Sequence, residues 1–128
     1  MKKRYWTLIV LVFVFITNLI INLDRIILDG ISGELSSLVF PPDTKYSEKY
    51  SHENFRKIEI GMTEEQVIEL IGKPLTVWQP YKPTKYIDKR HYIGFQYSES
   101  PSSVDYRLRQ VYFDNGIVAE RKDYYYFD

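Results

Sequence analysis

A long uncharged run of mostly apolar residues extends from Tyr5 to Leu23. Its centre, from Leu8 to Ile16, contains only Leu, Ile, Val and Phe. As a helix, a run of this length would span about 28 Å, which is close to the ~30 Å hydrocarbon core of a bilayer. The run is apolar on every side, and a small domain has no core large enough to enclose such a helix. The pattern therefore predicts a transmembrane helix in residues 1–23.

The residues that flank this run indicate its fate and orientation. A cleaved signal peptide would have a shorter apolar core and a small-x-small cleavage site. The best such site, residues 30–32, lies beyond several charged residues, so the pattern favours an uncleaved signal-anchor. Three basic residues, 2–4, precede the span, whereas Asp24 and Arg25 cancel just after it. The positive-inside rule then predicts a single-pass protein with a cytoplasmic N-terminus and an exported C-terminal part, residues 24–128.

Residues 24–50 are predicted to connect the anchor to a small domain. Apolar residues recur at helical spacing as far as Val39, and prolines at positions 41 and 42 end the pattern. This stretch has two possible structures. It is either an amphipathic helix, which continues the anchor or lies on the membrane surface, or a plain juxtamembrane spacer. The sequence favours the spacer.

The strongest local signal of the domain, residues 51–128, predicts a short helix within residues 60–74. Thr63 is suited to the N-cap, and Gln66 at the third helical position completes a capping box. Gly72 can adopt the left-handed conformation at the C-terminus, and the proline after it prevents continuation. The residues predicted to form the buried stripe of this helix are Val67, Leu70 and Ile71.

A shorter helix is predicted to begin near Ser51, with Phe55 and Ile58 on its inner face. Period-two alternation then predicts strands in four stretches: Leu75–Gln79, His91–Ser98, residues 104–113 and Ile117–Phe127. A change of phase near residues 109–110 predicts a β-bulge or a bend, and Asp-Asn-Gly at residues 114–116 predicts a tight turn. The expected fold is α+β, with two short helices on one face of a three- to four-stranded antiparallel sheet.

Composition excludes several classes of function. The 128 residues include 17 basic and 17 acidic side chains, so the basic excess typical of nucleic-acid binders is missing. The chain has no cysteine, which excludes disulfides, thiolate chemistry and an acylated lipoprotein cysteine. The two histidines, His52 and His91, lie in different predicted elements, and neither belongs to a metal-ligand spacing motif. We therefore predict no catalytic residues, no cofactor and no metal.

A loop between two predicted strands concentrates cations and aromatic rings, with Asp88 as its one acid. Such a surface suits an acidic protein partner or anionic lipid headgroups. The alternative is an ordinary solvated loop with its tryptophan in the core. The sequence favours this alternative, because isolated charges are common in loops. The residues predicted for partner or lipid binding are Trp78, Tyr81, Lys82, Lys85, Tyr86, Lys89 and Arg90.

Two blocks of the domain, residues 55–74 and residues 111–118, resemble the SmpA/OmlA (BamE) domain. The resemblance covers roughly residues 51–122 and centres on the Gly-Met-Thr, Gln-Val and Gly-x-Pro elements. It implies the fold of β-lactamase inhibitor proteins, a helix pair on an antiparallel sheet. It also implies a non-catalytic envelope protein that assists outer-membrane β-barrel assembly through protein and lipid contacts. Family members are anchored by an acylated cysteine, which this chain replaces with a predicted transmembrane helix.

The sequence thus leads to a membrane-anchored, exported binding or scaffold module, an accessory of a cell-envelope complex. An alternative is an inhibitor or immunity-type protein that binds an exported enzyme through its sheet face. A small hydrolase would be a third reading, and it would require turnover that depends on His52 or His91. We expect the protein not to be an enzyme.

Overall fold

The computed structural model describes residues 2–101 and 105–127, so position 104 of the third predicted strand lies outside the described residues. Two consecutive helices open the chain, α1 (Lys2–Ile21) and α2 (Leu23–Val39). No residue of α1 is buried. By length and composition α1 can cross a membrane, a property that signal sequences share. Helix α2 is interrupted at Gly30, whose φ of 74° is not helical.

Antiparallel strands form the centre of the domain. In chain order they are β1 (Lys45–Tyr46), β2 (Thr76–Trp78), β3 (Ile93–Gln96), β4 (Ser98–Glu99), β5 (Tyr106–Asp114) and β6 (Ile117–Tyr126). The main sheet has the order β2-β3-β5-β6, and β1 pairs with β4 in a separate two-stranded sheet. Asn115 and Gly116 join β5 to β6 with positive φ values of 48° and 80°, as the predicted tight turn requires. The structure confirms the α+β class.

Two short helices, α3 (His52–Arg56) and α4 (Glu64–Ile71), contribute to the core on one face of the main sheet. The capping box of α4 is present, because the Thr63 hydroxyl accepts from the Gln66 amide at 3.2 Å. The Gln66 side chain in turn accepts from the Thr63 amide at 2.9 Å. Gly72 ends the helix with a φ of 80°. Local sequence signals therefore suffice to start and stop this helix.

The hydrophobic core lies between these helices and the sheet. Val67 and Ile71 are fully buried as predicted, whereas Leu70 is only partly buried. One core residue, Leu28, comes from α2, in the predicted connector. The buried members of the core are Leu28, Phe55, Ile58, Val67, Ile71, Phe95, Tyr97, Val111, Phe113 and Val118.

Strand β5 has two arginines on its inner face, where the pattern leads one to expect apolar residues. Of the two predicted irregularities near residues 109–110, the bulge is wrong, because Arg109 and Gln110 pair regularly with β6. The register instead shifts between Tyr112 and Phe113. Arg107 and Arg109 share the inner face with the buried valine and phenylalanine that follow them. At residues 109–110 the alternation of apolar and polar side chains therefore changes phase, although the pairing of the strands stays regular there.

These arginines hold helix α2 against the domain. The Asp29 carboxylate is completely buried and lies 2.5 Å from Arg107 Nη1 and 2.8 Å from Arg109 Nη1. Burial alone would lower the pKa of Arg109, but the hydrogen bond and charge of Asp29 raise it above its ordinary value. Gly33 allows the close approach, since a Cβ there would lie 3.1 Å from Tyr125 Cβ. The first part of the predicted connector is thus a helix that packs on β6 and α3.

Candidate binding surface

The outer face of the main sheet, turned away from α3 and α4, is covered by a loop of residues 79–92. One row of paired positions on this face contains Trp78, Gly94, Tyr112 and Glu120. The Trp78 ring packs directly on Gly94, where an added Cβ would lie 2.7 Å from the ring. The same ring meets Tyr112 edge-on, at 5.6 Å between centroids. Trp78 is therefore half-buried on the outer face and is not part of the core.

Glu120 joins the loop to strand β6. The Tyr81 hydroxyl donates to its carboxylate at 2.6 Å, and Lys89 Nζ donates to the other oxygen at 3.3 Å. Partial burial alone would raise the pKa of Glu120, but the Tyr81 hydrogen bond and nearby lysines lower it below its ordinary value. The pKa of Tyr81 is raised by burial and by the hydrogen bond to this carboxylate. Glu120 thus remains ionised and keeps the loop closed over the sheet.

Tyrosine rings surround Lys89. Its Nζ lies 5.2 Å from the centroid of Tyr81, 5.9 Å from that of Tyr92 and 6.0 Å from that of Tyr86. Tyr81 also meets Tyr86, Tyr92 and Tyr112 edge-on, each at 5.7 Å. Since Lys89 already contacts a carboxylate and three rings, it supports the loop and is not a free cation for a ligand.

The structure divides the seven predicted binding residues into two groups. Four of them, Trp78, Tyr81, Tyr86 and Lys89, come together in the aromatic cluster. The other three, Lys82, Lys85 and Arg90, are exposed at its rim. Arg90 donates to the Thr84 carbonyl at 3.2 Å, and Lys85 Nζ lies 5.9 Å from the Tyr86 ring. The candidate binding surface is therefore an aromatic platform with a basic rim, and its partner stays a prediction.

Two members of this surface were not predicted from the sequence. Tyr112 and Glu120 lie far from the loop in the chain, and the register between β3, β5 and β6 brings them beneath it. The spacing of the tyrosines on β5 and β6 could have indicated this face, because residues on one face of a strand recur at every second position. Tyr106 and Tyr126 continue this face as a cross-strand pair, with ring centroids 5.4 Å apart.

The histidines lie in two unrelated places. His52 Nδ1 is 2.9 Å from the Tyr50 hydroxyl, and His91 Nε2 is 2.6 Å from Asp114. Burial, together with the charge of Arg109, lowers the pKa of His52 to about 4. Within residues 2–101 and 105–127, no group of three or more His, Cys, Asp or Glu side chains is placed to hold a metal ion.

Comparison with known proteins agrees with this architecture. The model of the outer membrane protein assembly factor BamE domain matches residues 50–123. No curated protein and no solved structure matches the chain significantly. The family match confirms the resemblance carried by residues 55–74 and 111–118. Because it covers more than half of the 128 residues, the chain belongs to the BamE domain family.

Proposed function

We propose that this protein is a membrane-anchored, exported and non-catalytic accessory of a cell-envelope complex that resembles the outer-membrane assembly machinery. The observation that carries the proposal is the BamE domain match over residues 50–123, in a chain that begins with a membrane-compatible helix. The family description is of an outer membrane protein assembly factor, and we infer that the domain acts by binding. The basic residues 2–4 support a cytoplasmic N-terminus and an exported domain.

The aromatic platform with its basic rim is the surface that we assign to the partner. Lys82, Lys85 and Arg90 are exposed, while the rings beneath them are held in place by Glu120 and Gly94. A pre-arranged aromatic surface loses little conformational freedom on binding, and exposed cations attract an acidic protein surface. Anionic lipid headgroups carry the same charge and are a second ligand class for this rim.

A second candidate function is inhibition of an exported enzyme, in the manner of an immunity-type protein. The tyrosine-rich outer sheet face favours it, because tyrosines supply large contact areas at low entropic cost. Tyr106, Tyr124 and Tyr126 extend this face beyond the loop along β5 and β6. An inhibitor would bind one soluble target and would not need its anchor.

Affinity purification from detergent-solubilised membranes separates the two candidates. The tagged full-length chain is compared with an anchor-exchange variant, in which a cleavable signal peptide replaces residues 1–21 and residues 22–128 are retained. Helix α2 must be retained because Leu28 and Asp29 are buried in the domain. A third protein carries Lys82→Glu and Lys85→Glu, and its matched control carries Lys49→Glu and Lys73→Glu at exposed lysines elsewhere.

We expect the full-length chain to recover an envelope assembly complex that the Lys82→Glu/Lys85→Glu variant loses and the control variant keeps. Recovery of one soluble exported enzyme by both the full-length and the anchor-exchange proteins would make the protein an inhibitor. If both double variants recovered the envelope complex equally, the basic rim would not be part of the interface. Recovery of no envelope protein at all would contradict the accessory role.

A further inference from the structure

Helix α2 pairs three of its four charged side chains with arginines of the domain. Its four charged residues all pair within the protein: Asp24 with Arg56, Arg25 with Glu34, Asp29 with Arg107 and Arg109, and Glu34 with Arg107 as well. Burial alone would raise the pKa of Glu34, but the two arginines lower it below its ordinary value, so this carboxylate also stays charged. A surface helix of a water-soluble domain has the opposite arrangement, with its charges outward.

The outward side of α2 is apolar. After the break at Gly30, Ile31, Leu35 and Leu38 follow each other at spacings of four and three, which places them on one face. Their exposed fractions are 74%, 60% and 78%. We call these three residues the apolar stripe. Contiguous exposed apolar residues of this kind mark a surface that is covered in the working protein.

The exposed apolar surface continues beyond the stripe. Phe40, at the end of α2, and Phe127, after β6, are each about half exposed. Tyr125 joins them, since its hydroxyl donates to the Phe40 carbonyl and its ring lies 4.9 Å from that of Phe127. Phe40 and Phe127 therefore lie close together beside the end of α2.

A lipid surface is the occupant that fits best. One residue separates α1 from α2, and nine residues, 22–30, lie between α1 and the first residue of the apolar stripe. In a protein anchored by α1, the stripe therefore starts close to the bilayer surface. The non-helical Gly30 gives residues 31–39 a direction of their own, independent of the membrane span. Contact with lipid leaves no charge of α2 without a partner, because Asp24, Asp29 and Glu34 pair with arginines of the domain and Arg25 pairs with Glu34.

We propose that residues 31–39 of α2 lie in the plane of the membrane surface, with the apolar stripe in the boundary between headgroups and acyl chains. Interfacial helices bury their apolar faces about 5–10 Å into this boundary. The polar side of the helix, fixed by Asp29 and Glu34, then holds the BamE domain at one orientation above the bilayer. This inference rests on the proposed anchoring by α1 and adds to it a second, in-plane membrane contact.

Because the chain has no cysteine, a single introduced cysteine can be spin-labelled without interference. Labels are placed at positions 31, 35 and 38 of the full chain, reconstituted into vesicles of phosphatidylcholine and phosphatidylglycerol. Val12→Cys reports on the membrane span, and Glu69→Cys, at an exposed position of α4 outside the basic rim, reports on the water-exposed domain. Collision of each label with oxygen, which concentrates in lipid, is compared with collision with a water-soluble nickel complex.

We expect the three stripe labels to resemble Val12→Cys, with high oxygen and low nickel accessibility, and to differ from Glu69→Cys. Nickel access to the stripe as free as that at position 69, with position 12 still protected, would overturn this inference and leave the anchoring intact. Protection from both reagents, or magnetic coupling between labels on separate chains, would show a protein-covered stripe and would also overturn it. Nickel access at position 12 would overturn the anchoring itself, and the inference with it.

A charge substitution provides a matched second test. Leu35→Glu should raise nickel collision at position 38 several-fold, because a carboxylate lifts the helix from the acyl boundary. Ile60→Glu introduces the same charge at another highly exposed apolar residue, outside α2, and should leave position 38 unchanged. Since both side chains are mostly exposed, the domain should stay folded in each variant. No change at position 38 in Leu35→Glu would contradict lipid contact.

Discussion

Helices α4 and α2 both pack on the domain, and they do so with opposite faces. Helix α4 buries Val67 and Ile71 and leaves its glutamates largely in water, as expected for a soluble domain. Helix α2 buries Asp29 and Gly33 together with one leucine, Leu28, and exposes its apolar stripe. Amphipathic spacing identifies two faces of a helix, but the medium beyond the helix decides which face is turned inward. The four tests that follow address this contrast, from the largest expected effect to the smallest.

Removal of the buried carboxylate should have the largest effect on stability. In Asp29→Ala, Arg107 and Arg109 would stay buried without their counter-charge, which costs about 3–5 kcal/mol. Urea unfolding of the detergent-solubilised protein, followed by near-ultraviolet circular dichroism, measures this loss. The control is Asp24→Ala on the same helix, whose pair with Arg56 is partly exposed and should contribute less than about 1 kcal/mol. Equal effects of the two variants would show that the buried cluster does not hold α2.

The apolar side of α4 should contribute slightly less. Ile71→Ala or Val67→Ala removes fully buried core atoms and should lower the free energy of unfolding by about 2–4 kcal/mol. The same urea titration measures both variants. Glu69→Ala, at an exposed position of the same helix, should change stability by less than about 0.5 kcal/mol. A near-neutral result at both apolar positions would contradict the packing of α4 on the sheet.

Acid should weaken the end of the domain that holds α2. The folded protein holds the pKa of His52 at about 4, through burial and the charge of Arg109, whereas the unfolded chain has the ordinary value of 6.5. The unfolded chain therefore binds more protons between these values, and stability falls as the pH drops from 6.5 to 4. A nuclear magnetic resonance titration of the His52 ring measures the folded pKa directly. In His52→Gln this part of the pH dependence should disappear; an unshifted ring pKa would contradict the assignment.

The exposed stripe should contribute little to the folded domain itself. Leu35→Ala removes a side chain that is 60% exposed and should change the free energy of unfolding in detergent by less than about 0.5 kcal/mol. Leu35 and Ile71 have side chains of the same size, so the difference between the stability losses of Leu35→Ala and Ile71→Ala measures the contrast between the two helices. A loss as large as that of Ile71→Ala would place Leu35 in the core and remove the basis for its lipid contact.

The sequence was sufficient for α4 because every determinant of that helix lies within a few residues. Thr63 and Gln66 form the cap, Gly72 ends the helix, and these neighbours meet whatever the rest of the chain does. The turn at Asn115 and Gly116 is equally local, since positive φ is favoured by these residue types. The helix pair and the antiparallel strands could be predicted from the sequence for the same reason.

The position of α2 against the domain could not be predicted from local sequence signals. Arg107 and Arg109 stand at inner positions of β5, and nothing near them in the chain shows that an aspartate far upstream will neutralise them. Hydrophobic periodicity treated them as outward residues and so predicted a bulge or bend at residues 109–110, whereas the register shifts between Tyr112 and Phe113. Glu120 escaped prediction for a related reason, because its contact with Tyr81 depends on strand register. Composition was enough to find the loop residues but not the carboxylate beneath them.

The Asp29–Arg107 pair also has a consequence for the order of folding. Its partners are separated by 78 residues, and long-range contacts form late because loop closure costs entropy before any contact is gained. Asp29 meets no buried cation until β5 has been synthesised and has paired in the sheet. We therefore expect α4 and the β5–β6 hairpin to form early, with α2 packing last. Helix α2 leaves the ribosome before the rest of the domain and is then the last of these elements to reach its final position.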